Sequence, residues 1–451
     1  MPEQDDIFRA NDIRGVYPDT LNERVVEEIG LAFGTFVGKN KRLALSMDIR
    51  KSSPLLKASF LKGLKKTGAK VFYIGKVPTP LLYFAIAHYK LDGGAAVSAS
   101  HNPPKWNGLK LCGPMGRTYG AGFGQERIKK IYGSKKFIYR EGGSVKDIHK
   151  KLMTDYEDFI FKKAKISKPL KIGIDPGNGA DSIIASNILK KAGLLTVSIN
   201  DKPDGNFPSR SPEPKPDNIT ALRDLVKSKK LDFGVAFDGD GDRAMFVDDN
   251  GDAFFGDITL AMMIKNMVKK GESVVFEFSS TKAVEDMIRL KGAKGIRAKT
   301  GRAFMIDKMG KSKARLGGEH STHFYFSDIY GFDDALFAVI KMAQLVSKSG
   351  KRMSELMAEL PKYERITDEF EVEDSKKFRI IAKMLDSLKR TNGRLVTVEG
   401  VKLITGSGWL MARASNTTPK IKIIAESEDK SNLQKMYRLA VSEFEKAKKA
   451  A

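Results

Sequence analysis

Apolar and polar positions along the chain follow two alternating rhythms. Short apolar runs predict strands, and apolar residues at three- and four-residue spacing predict helices. Residues 42–46 read as a strand. Residues 54–66 follow with helical spacing (Leu55, Leu56, Phe60, Leu61, Leu64), and Gly68 is the expected stop. A strand over 71–74, a helix over 81–89 and a strand over 94–97 continue the pattern. It restarts at 170–174, with a helix near 181–191, and again at 273–278, with a helix near 281–290. Such alternation implies crossover units on a largely parallel or mixed sheet. Three restarts at intervals of about 100 residues, without a close sequence repeat, imply three related α/β domains. The last ninety residues differ: helices over 376–388 and 432–446 flank strands over 396–401 and 420–425, a smaller α+β unit. Boundaries are expected in the basic region 146–156, at the turn 249–251 and after Pro361. The expected domains are therefore 1–149, 150–249, 250–361 and 362–451. The proline-rich stretch 203–216 reads as a loop.

Composition narrows the class. With 41% hydrophobic and 30% charged residues the chain reads as soluble and globular, and its recurring apolar runs exclude disorder. The longest apolar stretches, such as 81–87, fall far short of the roughly 18 residues a spanning helix needs. The single Cys112 excludes an intrachain disulfide, and no Cys/His cluster could hold zinc. The acidic, polar opening residues are unlike a secretory leader. A cytoplasmic protein is expected.

The net charge of +24 raises nucleic acid, an anionic surface or anionic small substrates as partners. The surplus is uneven: 14 basic and 6 acidic residues fall in 126–171, and 6 basic and 2 acidic in 430–451. No aromatic-interleaved basic stripe accompanies it, as a single-strand groove would require.

Four segments carry candidate chemistry. Asp238, Asp240 and Asp242, spaced by Gly239 and Gly241 and followed by Arg243, stand just past the apolar run 233–237. Ligands bind beyond the carboxyl ends of strands in such sheets. Glycines allow a sharp turn that brings the three carboxylates together, and an oxygen-only ligand set suits Mg²⁺. An EF-hand fits poorly, because Arg243 stands at its glycine position. A phosphatase using Asp238 as nucleophile and Asp240 as acid/base is the chief rival. The second segment, Ser98-Ala99-Ser100-His101-Asn102-Pro103, offers a hydroxyl beside His101, with Lys110 further on. The third, Gly317-Gly318-Glu319-His320-Ser321-Thr322-His323, holds two of the five histidines beside groups suited to a polyol. The fourth, Arg413-Ala414-Ser415-Asn416-Thr417-Thr418-Pro419, can cradle a phosphate, the arginine bidentately. Each of the last three also reads as an ordinary polar turn.

Together and in this order, the four segments resemble the α-D-phosphohexomutase superfamily, most closely its phosphomannomutase/phosphoglucomutase branch. Phe8-Arg9-Ala10-Asn11-Asp12-Ile13-Arg14-Gly15, Pro203-Asp204-Gly205-Asn206-Phe207-Pro208, Lys299-Thr300-Gly301 and Tyr330-Gly331-Phe332-Asp333-Asp334 extend the likeness over essentially the whole chain. The resemblance implies four domains around a central cleft: three mixed-sheet α/β domains and a C-terminal α+β domain, one loop from each. Ser100 would be the phosphoserine. Mg²⁺ would rest on Asp238, Asp240 and Asp242 with a phosphoserine oxygen. Glu319 and Ser321 would hold sugar hydroxyls, with Arg243 and Lys299 also on the substrate. Arg413, Ser415, Asn416 and Thr417 would hold the non-reacting phosphate, and Arg14 and Lys110 would flank the reacting one. His101, Lys110 and His323 are the expected acid/base candidates.

The implied reaction interconverts hexose 1-phosphate and hexose 6-phosphate, of mannose or glucose, with the 1,6-bisphosphate as intermediate and activator. Phosphoryl transfer of this kind rests on positioning and charge neutralisation. The expected partner is a small phosphosugar, with no nucleic acid or membrane required, and the protein a monomer or homodimer. A phosphoglucosamine mutase of the same superfamily is one alternative. A non-catalytic nucleic-acid-binding protein is the alternative from another class, disfavoured by the intact set of site residues. Four positions depart from the branch pattern: Asn11 where an aromatic is usual, Ser279 for lysine, Arg302 for histidine and Thr322 for glycine. Arg302 is expected to replace the missing lysine's charge near the phosphate.

Overall fold

The computed structural model describes residues 7–415 and 419–451. Three mixed sheets and one antiparallel sheet follow one another along the chain. The first places its strands in the order Ile13–Val16, Trp106–Cys112, Gly93–Val97, Arg42–Met47, Lys70–Lys76, Ser144–Asp147. The second runs Ala253–Phe254, Ala244–Asp248, Phe233–Phe237, Lys171–Asp175, Leu195–Ser198, and the third Lys294–Ala298, Ser273–Glu277, Leu316–Gly318, Phe324–Phe326. In each, parallel strands give way to an antiparallel neighbour on one side. The fourth sheet, from Glu364–Glu371 through Lys420–Ser427, Gly408–Ala414 and Val401–Ile404 to Arg394–Val396, is antiparallel throughout. Helices Lys377–Leu388 and Lys430–Lys449 cover it. The expected class, three mixed-sheet α/β domains and a C-terminal α+β domain, is the observed one.

This arrangement gives the four loops a common origin. Gly93–Val97 turns through 98–105 into the antiparallel Trp106–Cys112, and Phe233–Phe237 turns through 238–243 into Ala244–Asp248. Leu316–Gly318 turns through 319–323 into Phe324–Phe326, and Gly408–Ala414 returns as Lys420–Ser427. The first three candidate loops are thus the tips of hairpins, and the fourth lies between paired antiparallel strands. Short hairpin connections fix the position of the residues they carry.

The apolar cores decide what moves together. Helix Thr79–His88 is apolar on every side and fully buried along residues 79–87. It joins a core that continues through Ile174 and Phe237 of the second sheet to Val275 and Leu316 of the third. The fourth sheet has its own core, around Met384, Leu410, Ile423 and Phe444. A small cluster of Phe278, Trp409, Met411 and Ile424 links it to the third domain.

Two expectations are corrected. Residues 396–401 do not form one strand: Arg394–Val396 and Val401–Ile404 pair antiparallel, and 397–400 is the turn between them. Gly400, at φ +99°, permits that turn, and a Cβ there would lie 2.3 Å from the Ala412 carbonyl oxygen. The helix near 181–191 is two pieces, a 3₁₀ turn Ala180–Ile183 and helix Ala185–Lys191. Among the described residues no helix is long and apolar enough to cross a membrane.

Candidate active site

The serine loop is held from beneath. Ser100 is buried and sits at φ +52°, a left-handed conformation uncommon for a residue with a side chain. Arg50, 1% exposed, supports it through five hydrogen bonds. Its Nη2 donates to the carbonyls of Ser100 (2.8 Å) and Asn102 (2.6 Å), and its Nη1 to those of Pro103 (2.7 Å) and Trp106 (3.0 Å). Nε pairs with Asp48 at 3.1 Å, and the guanidinium lies 5.1 Å from the Phe207 ring of the second domain. The sequence pattern marks neither Arg50 nor Asp48, and it marks Phe207 only as part of the segment 203–208.

The three aspartates converge on this loop. Asp238 Oδ1 accepts from the backbone N–H groups of Gly241, Asp242 and Arg243 at 2.9, 3.1 and 3.2 Å. Its Oδ2 accepts from the Ser100 hydroxyl at 3.4 Å. Gly239 allows the two loops to meet, since a Cβ there would lie 2.7 Å from the Ser100 carbonyl oxygen. Gly241 turns at φ +79°. Asp240 Oδ2 accepts from Thr79 Oγ1 (2.5 Å), Ser98 Oγ (3.1 Å) and Lys110 Nζ (2.7 Å), and Lys110 also reaches Asp242 Oδ2 at 2.6 Å. One oxygen each of the three carboxylates lies within 4.8 Å of the others. Asp240 Oδ1 is buried and accepts no hydrogen bond among the described residues, and the buried Asp242 Oδ1 faces His323 Nε2 at 3.2 Å. Buried orphan carboxylate oxygens are costly unless a cation takes them, so the residues present fit an oxygen-liganded divalent ion.

A cavity of about 190 Å³ lies over these groups, lined by Arg14, Ser100, Lys110, Asp242, Arg243, Glu319, Ser321 and His323 together with Asn11 and Arg302. Consecutive residues, Ala10 and Asn11, Lys299 and Thr300, line it and a larger cavity of about 580 Å³ that holds Lys299, Glu399 and Arg413. Arg14 is fixed by Asp12 (2.7 Å) and the Asn102 side-chain oxygen (2.6 Å). Arg243 pairs with Glu213 at 3.2 Å.

Electrostatics separate the three acid/base candidates. Burial disfavours the Lys110 ammonium, but Asp240 and Asp242 outweigh it and hold the group charged, well above its ordinary range. Burial opposes charge on His323 as well, yet Asp242 (3.2 Å from Nε2) and Glu319 (3.0 Å from Nδ1) raise it to about 10. His101 goes the other way: burial, then Arg243 and Arg14, push it well below the usual range. His101 Nδ1 is 3.3 Å from Ser100 Oγ, but His101 does not line the cavity.

Several expected roles are shared with structural ones. Glu319 already accepts from the Gly301 N–H (3.1 Å) and the Tyr325 hydroxyl (3.2 Å). Ser321 Oγ lies 2.9 Å from His323 Nδ1. Arg413 donates to Thr300 Oγ1 at 2.5 Å and pairs with Glu399 at 3.2 Å, a partner the sequence did not single out. Arg302 lines the cavity as expected of a cleft cation, but mainly clasps two domains. It pairs with Asp333 (2.7 Å), donates to the Gly116 carbonyl (3.2 Å) and to Thr118, and covers the Tyr83 ring at 3.4 Å. Only its Nη2 is buried without a partner among the described residues. Ser279 is turned to Glu277 (2.6 Å) and does not line the cavity. Thr322 stands at φ +69°. Asn416 and Thr417 lie outside the described residues.

Four family models match the chain in series: phosphoglucomutase/phosphomannomutase α/β/α domains I, II and III over residues 5–139, 153–251 and 255–363, and the C-terminal domain over 369–438. The chain belongs to the phosphoglucomutase/phosphomannomutase family. It is an enzyme, an intramolecular phosphotransferase. A phosphoglucomutase/phosphomannomutase of Thermococcus kodakarensis is 32% identical over 457 residues, covering 98% of this chain and 99% of that protein. A probable phosphoglucosamine mutase of Methanocella arvoryzae is 33% identical over 437 residues, covering 97% of each. A crystal structure of a phosphoglucomutase/phosphomannomutase family protein from Burkholderia thailandensis superposes with a TM-score of 0.91 at 30% identity, covering 99% of this chain and 98% of that one. In this phosphoglucomutase/phosphomannomutase family member, the left-handed backbone at Thr322 is one that a glycine would adopt without strain.

Proposed function

We propose that the enzyme interconverts the 1- and 6-phosphates of mannose or glucose through a phosphorylated Ser100 and a 1,6-bisphosphate. The observation that carries this reading is the convergence of Ser100, Asp242, Lys110 and His323 on one cavity, with Asp238 and Asp240 grouped against Asp242, and a second cavity bearing Arg413 adjoining it. A hydroxyl cannot transfer a phosphoryl group without charge neutralisation on both sides of the phosphorus. Arg14, Lys110 and Arg243 supply that charge from three directions. Asp238, Asp240 and Asp242 would hold Mg²⁺, which when bound neutralises charge on the transferring group and on the carboxylates themselves.

Phospho-Ser100 passes its phosphoryl group to the free hydroxyl of the bound hexose phosphate. His323, held charged between Asp242 and Glu319, adds positive charge at the cavity wall, and His101, held neutral beside Ser100, is the candidate able to accept the proton of the attacking hydroxyl. His101 lies beside Ser100 Oγ and supports the serine when the phosphoryl group has left. Arg413, with Lys299 and Ser415, holds the phosphate that does not react. The bisphosphate then turns over, exchanging its ends between the two adjoining cavities, and its other phosphate returns to Ser100.

The test is a panel of mannose, glucose and glucosamine 1-phosphates, each with Mg²⁺ and a trace of the bisphosphate. Turnover of mannose or glucose 1-phosphate supports the reading, and failure on all three refutes it. A preference for glucosamine 1-phosphate is the second reading, favoured by the Methanocella arvoryzae relative.

A further inference from the structure

The charge surplus that the reaction does not use is concentrated in part at a groove remote from Ser100. A cavity of about 570 Å³ is lined by Lys165, Lys269, Lys291, Arg315, Lys341 and Lys348, and by no carboxylate. None of these residues lines the cavity holding Ser100. We propose that this groove binds a short inorganic polyphosphate.

Charge balance supports the assignment. Lys341 donates to Asp328 at 2.5 Å, and Arg315 pairs with the same carboxylate. Lys165, Lys269, Lys291 and Lys348 form no ion pair among the described residues. Lysines at helix C-termini are common because they complement the helix dipole, and four helices do end here: His149–Lys163, Gly256–Met267, Lys282–Leu290 and Ala335–Ser349. Each such end contributes at most about half a negative charge. The four ends and Asp328 together therefore offset about three of the six positive charges, and a clear excess remains. Repulsion among cations gathered this way is relieved when an anion enters.

The lining also selects the anion. The six cations come from five separate segments of the chain, so linked phosphates match their spread better than one phosphate does. The other lining groups, Asn266, Met267, Val268, Gln344, Leu345 and Ser349, include no aromatic ring. A nucleotide base or single-stranded nucleic acid would have no stacking platform.

The experiment is calorimetric titration of the full-length enzyme with tripolyphosphate, in the presence of saturating hexose phosphate to occupy the catalytic cleft. One tripolyphosphate per chain is expected, with orthophosphate at least tenfold weaker. Lys269→Ala/Lys348→Ala should weaken binding at least tenfold while leaving mutase activity and the melting temperature unchanged. Lys448→Ala/Lys449→Ala, which removes the same charge from the exposed end of the last helix, should leave binding within twofold. Equal weakening by the two double variants would overturn the proposal, as would no binding. ATP or single-stranded DNA binding tenfold more tightly than tripolyphosphate would overturn the inorganic assignment.

Discussion

Replacing Arg50 by lysine keeps a positive charge under the serine loop but removes the geometry that holds it. Arg50 uses all five of its N–H groups, one on Asp48 and four on the carbonyls of Ser100, Asn102, Pro103 and Trp106. A lysine carries three donors on a single atom. At least two of these five buried acceptors therefore lose their partner, at about 1–3 kcal/mol each, or about 2–6 kcal/mol in all. That cost falls on the segment carrying Ser100, the proposed nucleophile. A misalignment that adds only about 1.4 kcal/mol to the barrier slows transfer tenfold. Arg50→Lys is therefore expected to lower kcat at least tenfold, with little change in KM because Arg50 does not line the cavity. Hydrogen exchange over 98–106 should accelerate in parallel. A variant with kcat within twofold of the parent and unchanged protection over 98–106 would refute the reasoning.

Three further outcomes follow from the same geometry. Lys402, wholly buried, donates to the Phe278 carbonyl at 3.1 Å, lies 3.6 Å from the Trp409 ring, and is lowered by burial to about 7 against the pull of Glu285 and Glu426. Between pH 7 and its ordinary value of 10.5 the unfolded chain binds a proton that the folded one does not, so this residue's contribution to stability rises with pH across that window. Denaturant melts from pH 7 to 10 should show the rise in the parent and a smaller one in Lys402→Met; identical profiles would contradict the assignment. Arg302→Ala should raise KM for the hexose phosphate and weaken the contact of the first and third domains, whereas an unchanged KM would show that its free Nη2 does not face the phosphate. If Arg413 holds the substrate's phosphate as proposed, Glu399 competes for it through a partly exposed pair worth up to about 1 kcal/mol, so Glu399→Gln should lower KM by up to about fivefold, as steady-state assays would show.

The parts of the molecule legible in the sequence are those whose signal is local. Phe233–Phe237 is a continuous apolar run followed at once by the aspartates, and strand and loop fall where that pattern puts them. The residues that escaped are those whose partners are distant. Arg50 sits among ordinary helix-start residues, and its four carbonyl partners lie 50 to 56 positions away. Thr79 holds Asp240 across 161 positions, and Thr281 meets Glu426 across 145. Nothing in the local pattern marks such residues. The turn at 397–400 was misread because Val396, Val398 and Val401 look like one β-run, while the deciding fact is the close approach of Gly400 to the Ala412 carbonyl. Arg302 shows the opposite limit: its charge at the cleft was legible, but its ion pair with Asp333 and its stacking on Tyr83 depend on how the first and third domains meet.

The central claim is that Ser100 carries the transferred phosphoryl group. Incubation with hexose 1,6-bisphosphate bearing a labelled phosphate, followed by acid quench and peptide mass mapping, tests it directly. One acid-stable phosphate per chain is expected on the peptide containing Ser100, absent in Ser100→Ala and chased off by unlabelled hexose 1-phosphate. A hydroxylamine-labile label on the peptide containing Asp238, surviving in Ser100→Ala, would contradict the account and establish the aspartate as nucleophile.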